Sequence, residues 1–598
     1  MRLQNFAGYG ILYMKRNQNL HNQVYPEVRM NYTVSCGIHR VTAHSYSVEV
    51  SGSKIAFVLS GVKTAELDVR SSVSFLADGM EIADKEPTAP ELVSAVDTGK
   101  AVEFTWESSS SNFIGKTYTL TCSPSRAVYK MKLTGKGRLC TVNYFSGDLS
   151  ADGAGSDYDF QRGFYPDLSY NEEESCYFPA CRSFLRKPIL TVPPMMLYSF
   201  ETSGISARTV FALAAKPGEH NFHKLDYECT PNHNYKSRFY FSVAYDGHTG
   251  LSGEWESPEM LIYSAEDDFE AMDKYSAYYF ASGSAKRHKQ EARPRFWYGP
   301  MACGWLEQVG ASYGEKGGSP SDYSSEAMYR KILSVLDKHD MHPTVLVLDD
   351  KWQTAYGTNV ANAERYPDMR AFVDENRKRG IHTMLWFKMF DAEGLPDEMK
   401  IKDADGETSV DPSHPGYKKI VAETMHRLLS SDTGCYDCDG LKLDFGFMSP
   451  AGRDFTTYSG EYGIELMHSM MKLIRDEAKK VKPQAIINCS SCHPYFADIC
   501  DQVRLHDLSP RCRDNYEEMK MRARIFTAAN PDSLVDTDNS GFSSPRDSMR
   551  YQLNQHMIGV PDLYMFTGNP AMTLTDQDLD AISAQWKEYS AMIDTMYE

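Results

Sequence analysis

The feature that most constrains the fold is an alternation of short apolar runs with amphipathic segments after residue 295. In one such segment Met328, Ile332, Val335 and Leu336 recur at helical spacing. Eight βα units in about 300 residues are typical of a (β/α)8 barrel. The predicted strands are Phe296–Trp305, Thr344–Leu348, His382–Phe387, Leu441–Phe445, Ala485–Cys489, Gln502–His506, Leu534–Asp538 and Leu563–Thr567.

The alternative for this half is an open, doubly wound sheet. That fold commonly carries a glycine-rich dinucleotide loop or a phosphate-binding loop, and neither motif is present in the sequence. We therefore predict the closed barrel.

The first 262 residues have a different pattern, in which short alternating runs are separated by Gly, Pro, Asp and Ser. Thr117–Cys122 and the run that begins at Ala127 are joined by Ser123–Arg126, which predicts a β-hairpin. The sequence thus predicts a multidomain α and β protein. Its parts are an N-terminal β-sandwich (1–262), a linking helix and linker (263–294) and a barrel (295–598).

Composition limits the partners and the compartment. The net charge of −18 disfavours a nucleic-acid groove and is compatible with a neutral substrate such as an oligosaccharide or glycoconjugate. No apolar run approaches the roughly 18 residues of a membrane span, so no membrane is expected as a partner. The N-terminus lacks the apolar core of a signal peptide. We expect a cytoplasmic protein, or a secreted or periplasmic one if a signal peptide was removed.

Charged and aromatic side chains collect at the carboxyl ends of the predicted strands, where barrels place their chemistry. Four carboxylates stand out, namely Asp349, Asp350, Asp444 and Asp507. Two carboxylates that flank a scissile bond are what glycoside hydrolysis requires. One attacks the anomeric carbon as an anion, and the other donates a proton to the leaving oxygen.

Asp444 suits the nucleophile because Lys442, two residues earlier, projects to the same side of the strand and favours the ionised carboxylate. Asp507 suits the acid/base, two βα units later. The alternatives are an interior salt bridge between Lys442 and Asp444, a helix-capping role for Asp507, and His506 as the acid/base.

Asp349 and Asp350 can both reach a ligand only where their strand has ended. Paired carboxylates of this kind accept hydrogen bonds from vicinal sugar hydroxyls. The alternative is that one Asp caps a helix and the other is buried, which the sequence does not distinguish from a sugar-binding pair. Trp305 and Trp386 are candidates for walls of a sugar site, with core packing as the alternative.

These residues resemble the alpha-galactosidases of glycoside hydrolase family 36, which share a clan with families 27 and 31. The resemblance rests on Leu348-Asp-Asp-Lys-Trp352, Trp386-Phe387, Lys442-Leu-Asp444, Cys489-Ser490 and Arg504 to Asp507, and on Gly253–Met260 before the linking helix. It covers nearly the whole chain and implies an N-terminal β-supersandwich before a catalytic (β/α)8 TIM barrel.

The resemblance implies a retaining, exo-acting alpha-glycosidase without metal or cofactor, with Asp444 as nucleophile and Asp507 as acid/base. Asp349 and Asp350 match the pair that binds galactose hydroxyls, and Trp305 looks like the tryptophan of strand one. Lys442, Cys489 and Arg504 match further sugar-site positions. Family members often form oligomers, so a homo-oligomer is a further partner to test.

The sequence departs from the family pattern at positions near the expected substrate-binding residues. Lys351 replaces a usual Gly, Lys388 a usual Glu, and His506 a usual Ser. A modified sugar, with an N-acetyl or acidic substituent, is therefore an open hypothesis. Hydrolysis of alpha-N-acetylgalactosaminides and transglycosylation are the alternatives within the clan.

Other classes have weaker support. The pairs Cys435/Cys438 and Cys489/Cys492 lie at opposite ends of a predicted barrel, so they cannot share a zinc ion; a disulfide between Cys489 and Cys492 is the alternative for the second pair. Four histidines, at positions 342, 382, 493 and 506, suggest a metal-dependent enzyme as an alternative, but no metal-binding motif supports this alternative. A non-catalytic sugar-binding protein is the last alternative.

Overall fold

The computed structural model describes residues 30–147, 155–166, 168, 176–185, 193–231, 237–288, 293–314, 317–402, 406, 408–509, 511–512, 514–565 and 572–597. Within these residues an antiparallel, strand-rich N-terminal domain precedes a nearly closed barrel of eight parallel strands. The predicted fold class is confirmed. The exact domain boundaries stay predictions.

The N-terminal domain consists of antiparallel strands that pair into one continuous system. They are β1 Asn31–Ser35, β2 Ile38–Thr42, β3 Ser47–Ser51, β4 Lys54–Leu59, β5 Val62–Asp68, β6 Ser72–Ala77, β7 Met80–Ala83, β8 Glu91–Asp97, β9 Val102–Ser108, β10 Gly115–Cys122, β11 Ala127–Tyr144, β12 Ser156–Tyr158, β13 Phe160–Phe164, β14 Tyr177–Pro179, β15 Leu197–Thr202, β16 Arg208–Ala214, β17 Leu225–Pro231, β18 Ser237–Glu256 and β19 Glu259–Ala265.

Two long strands organise this domain. β11 pairs with β10 through the predicted hairpin, with Cys122 opposite Ala127, and it also pairs with β6, β18 and β19. Every second residue at the start of β11 is buried, as its alternating sequence predicts. The inward faces of the strands of this domain carry many aromatic rings, and these buried rings supply much of the apolar contact in its core.

One buried ionic cluster lies under β10. The ammonium of Lys116 contacts Asp84 at 3.2 Å and Glu86 at 2.5 Å, and none of the Lys116 side chain is exposed. The Tyr118 hydroxyl also donates to Glu86, at 2.6 Å. Two desolvated carboxylates therefore depend on one ammonium for their compensation.

Helix α1, Asp268–Ser282, links the two domains, within the predicted linking helix and linker of residues 263–294. The Asp267 side chain accepts from the amides of Phe269 and Glu270 at the N-terminus, and Gly283 ends the helix with φ of 77°. Of the predicted linking segment, residues 289–292 lie outside the described residues.

The barrel strands follow the chain order around the ring. They are β20 Met301–Cys303, β21 Val345–Leu348, β22 His382–Lys388, β25 Gly440–Asp444, β26 Ile486–Cys489, β27 Gln502–Arg504, β28 Leu534–Asp536 and β29 Asp562–Leu563, with a small hairpin of β23 Lys400–Lys402 and β24 Thr408–Val410 between the third and fourth. β29 pairs with β20, and a bridge from Asp536 to Val560 closes most of the remaining gap.

The helices of the barrel alternate with these strands. They are α2 Trp305–Ser312, α3 Glu326–Lys338, α4 Met369–Lys378, α5 Pro415–Leu429, α6 Gly463–Val481, α7 Asn515–Ala529, α8 Pro545–Gln552 and α9 Asp576–Tyr597. No helix in the described part of the chain is long and apolar enough to span a membrane.

All eight predicted barrel strands are present, but several end earlier than predicted. β20 stops at Cys303 because Trp305 already begins α2. Phe445 and His506 adopt left-handed backbone conformations, with φ of 59° and 68°, which break the extended chain directly after β25 and shortly after β27. Of the predicted last strand, residues 566 and 567 lie outside the described residues.

We predict that Lys116→Met destabilises the protein by about 3–5 kcal/mol, because Asp84 and Glu86 would remain buried without a counter-charge. Denaturant unfolding measures the change. The matched control is Lys132→Met on the neighbouring strand, whose partner Glu254 is mostly exposed; it should cost about 1 kcal/mol or less. Equal losses for the two variants would contradict the prediction.

Candidate active site

The carboxyl ends of the barrel strands enclose a buried network of charges. The Lys442 ammonium on β25 lies 2.9 Å from Asp349 after β21 and 2.9 Å from Asp538 after β28. The Cys303 thiol donates to Asp349 at 3.1 Å. All of these groups are almost fully buried. Lys442 thus forms interior ion pairs, as one sequence-based alternative proposed, although its partners are Asp349 and Asp538 rather than Asp444.

Asp444 ends β25 and receives three hydrogen bonds. One oxygen accepts from the Arg504 guanidinium at 2.8 Å and from the Phe445 amide at 2.9 Å, and the other accepts from the Trp386 indole at 3.1 Å. Burial alone would raise the pKa of Asp444, but Arg504, Lys442 and His506 lower it to about 2. Asp444 is therefore an anion at neutral pH, and its side chain keeps 19% of its surface exposed.

Arg504 on β27 connects Asp444 with the second predicted carboxylate. Its Nη1 atom lies 3.2 Å from Asp538 and 3.8 Å from Asp507, while its Nη2 atom donates to Asp444 at 2.8 Å. Arg504 is 1% exposed, so these attractions act with little screening by water. Asp444 and Asp507 therefore flank one guanidinium.

The backbone around Asp507 is held by neighbouring elements. The Arg522 guanidinium of α7 donates to the carbonyls of Leu505, His506 and Asp507 at 3.1–3.2 Å. The Ser540 amide donates to the Asp507 carboxylate at 3.1 Å. Asp507 does not begin a helix, because α7 starts at Asn515 and is capped by Asp514. The helix-capping alternative is therefore wrong.

His506 lies between Arg504 and Asp507 with 8% of its surface exposed. Within the described residues, its Nδ1 atom has no hydrogen-bond partner. Burial and the neighbouring Arg504 lower the pKa of His506 to about 4. The imidazole is therefore neutral at neutral pH and is poorly suited to donate a proton.

Asp350 lies beside this network and binds two hydroxyl groups. Ser321 donates to one oxygen at 2.8 Å, and Tyr356 donates to the other at 2.7 Å. Burial raises the pKa of Asp350. The Tyr356 ring meets the Trp386 ring edge-on, with centroids 5.7 Å apart. Sequence reasoning missed Tyr356 and Ser321, because both come from loops whose paths the strand pattern does not predict.

The two lysines that depart from the family pattern are already paired. Lys388 binds Asp391 at 2.8 Å, and Lys351 binds Glu393 at 2.8 Å. Both ammonium groups also lie over the Tyr356 ring, that of Lys351 at 4.0 Å and that of Lys388 at 4.2 Å from its centre. Their charges are therefore compensated within the protein.

A second acidic pair lies deeper in the barrel. Burial and the nearby Asp538 raise the pKa of Asp536 to about 7, and burial with Asp536 and Asp538 raises the pKa of Asp562. The Asn488 amide donates to Asp536 at 2.6 Å. Lys442 and Arg504 form ion pairs with Asp349, Asp444 and Asp538. Burial shifts Asp536 and Asp562 toward their protonated forms.

The remaining predicted residues lie at the edge of this arrangement. Trp386 donates its indole N–H to Asp444, whereas Trp305 begins α2, is half-buried and packs against the core. Cys489 is fully buried and forms a disulfide with Cys500, so the structure places it differently from the sugar-site position that the resemblance implied. The alternative disulfide with Cys492 is wrong, since Cys492 instead donates to the carbonyl of Pro193.

Comparison with protein families gives one match. Residues 312–480 match the glycosyl hydrolases family 31 TIM-barrel domain. This segment of the barrel contains Asp349, Asp350 and Asp444, and it confirms the predicted enzyme class, a glycoside hydrolase. The predicted membership of family 36 is not supported; the resemblance holds at the level of the clan that the two families share. Comparison with curated proteins yields no match.

Solved structures resemble the whole chain in fold. The alpha-N-acetylgalactosaminidase NagBb from Bifidobacterium bifidum has a TM-score of 0.60 at 11% identity, with 92% of each chain covered. A GH31 family sulfoquinovosidase from E. rectale has a TM-score of 0.57 at 11% identity, covering 95% of this chain and 84% of its own. The galactosidase domain of AgaSK has a TM-score of 0.51 at 10% identity, with coverage of 94% and 86%.

The pairing of Cys489 with Cys500 can be tested directly. After blocking of thiols and digestion without reduction, we expect one peptide pair linked between residues 489 and 500, and its loss on reduction. Mass spectrometry identifies the link. A linkage of Cys489 to Cys492 would contradict this assignment.

Proposed function

We propose that this protein is a retaining alpha-glycosidase that removes a terminal, uncharged sugar. The observation that carries the proposal is the pair of carboxylates at one guanidinium, where Asp444 is ionised and Asp507 lies on the other side of Arg504. The glycoside hydrolase barrel around Asp444 supports the same reaction class.

The first step uses the anionic Asp444. Its carboxylate attacks the anomeric carbon, the bond to the leaving oxygen breaks, and Asp507 transfers its proton to that oxygen. The product of this step is a glycosyl ester on Asp444. Arg504 and the Trp386 indole hold the attacking carboxylate in position, so little reorganisation is needed when the ester forms.

The second step regenerates the enzyme. Asp507, now ionised, takes a proton from a water molecule, and the resulting nucleophile attacks the anomeric carbon and releases Asp444. Two inversions give net retention. Net retention is proposed on the resemblance of Asp444 and Asp507 to the nucleophile and acid/base of the clan. It requires the two carboxyl groups to lie about 5–5.5 Å apart, whereas inverting enzymes leave about 6.5–9.5 Å for a water.

The charge of the pocket favours an uncharged sugar. Lys351 and Lys388, the residues that could bind an acidic substituent, already have carboxylate partners. The surrounding carboxylates would repel an anionic substrate; they are Asp349, Asp350, Asp444, Asp507 and Asp538. Buried carboxylates that accept hydrogen bonds are instead suited to sugar hydroxyls, as the resemblance implied for Asp349 and Asp350.

Among uncharged sugars, an alpha-galactoside is the first candidate, on the resemblance of the Asp pair. An alpha-N-acetylgalactosaminide is the second, because it is the alternative within the clan and because the alpha-N-acetylgalactosaminidase NagBb resembles this chain in fold. His506, which stands where the family pattern has Ser, can donate or accept one hydrogen bond with either an acetamido group or a hydroxyl, so it does not by itself separate the two candidates.

We expect Asp444→Ala to lower turnover of a nitrophenyl alpha-glycoside by at least about 10³-fold, because the covalent step loses its nucleophile. Added azide should restore turnover and yield a glycosyl azide, identified by mass spectrometry. Wild-type turnover should be unchanged by EDTA. Loss of activity in EDTA would favour a metal-dependent enzyme, and binding of sugar without turnover would favour a non-catalytic protein.

We expect kcat/KM to be about 100-fold higher for nitrophenyl alpha-galactoside or alpha-N-acetylgalactosaminide than for the corresponding sulfonated glycoside. The reason is that the carboxylates of the pocket repel an anionic substrate. Asp391→Asn releases Lys388 from its partner and should narrow this difference. A preference of the wild type for the sulfonated sugar would contradict the uncharged-substrate proposal. The ratio between the two uncharged substrates decides between the candidates.

A further inference from the structure

The N-terminal domain contacts the barrel through a short segment, residues 218–223, between β16 and β17. The amides of Gly218 and His220 donate to the Glu465 carboxylate at 3.1 and 3.3 Å. In return, the amides of Ile464 and Glu465 donate to the carbonyls of Phe222 and His220 at 3.0 and 3.1 Å. We call residues 218–223 the seat, because the first turn of α6 rests on it.

Gly463, the first residue of α6, is required by this contact in two ways. Its φ is +56°, a left-handed conformation that favours glycine, and a Cβ atom on it would lie 2.2 Å from the Phe222 carbonyl oxygen. The backbones of the two domains therefore touch with no side chain between them. This backbone contact fixes the position of the first residue of α6 and therefore the end of the loop before it.

Tyr462, the residue before Gly463, is the centre of a second set of contacts with the N-terminal domain. Its hydroxyl donates to Asp246 at 2.6 Å and also contacts Nε2 of His223. The His248 ring stacks on the Tyr462 ring with centroids 3.8 Å apart. All three partners belong to the N-terminal domain, and Tyr462 itself is fully buried.

The same groups hold the backbone of Gly452, ten residues earlier in the chain. The Gly452 amide donates to the Tyr462 hydroxyl at 3.1 Å, and His248 Nε2 donates to the Gly452 carbonyl at 2.8 Å. The Phe455 ring packs on His248, with centroids 4.7 Å apart. Both polar groups of one backbone position are thus satisfied by one hydroxyl and one imidazole.

The loop fixed in this way, residues 445–462, follows Asp444 directly. Its first residue, Phe445, donates its amide to the Asp444 carboxylate and meets the Trp386 ring edge-on at 5.7 Å. Further along, the Ser409 hydroxyl donates to the Met448 carbonyl at 2.8 Å. The loop is therefore tied at one end to the proposed nucleophile and at the other to the N-terminal domain.

We propose that the seat, together with Asp246 and His248, acts as a positioning element for the active site by fixing loop 445–462. The N-terminal domain thereby pre-orders one wall of the pocket, and the substrate does not have to order it on binding. The kinetic part of this proposal rests on the proposed glycosidase function, whereas the structural part does not.

Tyr462→Phe tests the proposal, because it keeps the ring and removes the hydroxyl that joins Asp246 to Gly452. The matched control is Tyr589→Phe, which removes another buried hydroxyl bond, 2.8 Å to the Tyr298 carbonyl, from α9. Hydrogen exchange of the amides of residues 446–461 and the kinetic constants on the nitrophenyl glycoside are measured for both variants and the wild type.

For Tyr462→Phe we expect exchange in residues 446–461 to become about tenfold faster and KM to rise about fivefold, with kcat nearly unchanged. Tyr589→Phe should lower Tm without either effect. Unchanged exchange in Tyr462→Phe, or faster exchange with an unchanged KM, would overturn the proposal. If the wild type hydrolyses no glycoside, the glycosidase proposal fails and hydrogen exchange alone decides whether the seat fixes the loop.

Discussion

The buried Arg504 guanidinium is the interaction on which the rest of the site depends. It contacts Asp444, Asp507 and Asp538 from one strand end, with almost no exposure to water. Removing a carboxylate from water is costly, and only a paired cation with good geometry offsets that cost. The site can therefore hold an ionised Asp444 because Arg504 is fixed there, and Lys442 forms the corresponding buried ion pair with Asp349.

The pocket carries more carboxylates than cations, and this imbalance has consequences for both catalysis and specificity. The pKa of Asp444, which binds the guanidinium closely, is lowered, whereas burial and neighbouring carboxylates raise the pKa values of Asp536 and Asp562. The proposed preference for an uncharged sugar rests on the same excess of negative charge. The proposed roles of Asp444 and of the hydroxyl-binding carboxylates thus depend on one distribution of charge.

The two domains are connected by more than their linking helix. The seat, residues 218–223, contacts the first turn of α6 through backbone hydrogen bonds, and this close approach requires a glycine at position 463. Tyr462 contacts three side chains of the N-terminal domain and so connects that domain to the loop after Asp444. The loop after Asp444 has partners in both domains. Ser409 and Asp411 of the barrel bond the backbone at Met448 and Tyr458. Asp246 and His248 bond Tyr462 and Gly452 from the antiparallel domain, which links the order of that domain to the loop after Asp444.

The sequence by itself determined the order of the eight barrel strands, the antiparallel domain and the carboxylates at the strand ends, because period and burial act locally along the chain. It did not predict the family, the loop residue Tyr356, the pairing of Lys388 with Asp391, or the bond of Cys489 to Cys500. The three structural features depend on which loops meet above the barrel. No repeating pattern in the sequence indicates contacts of this kind. Only the tertiary structure decided that Arg504, rather than the nearer Lys442, holds Asp444, because parallel strands bring side chains of different βα units to the same end of the barrel.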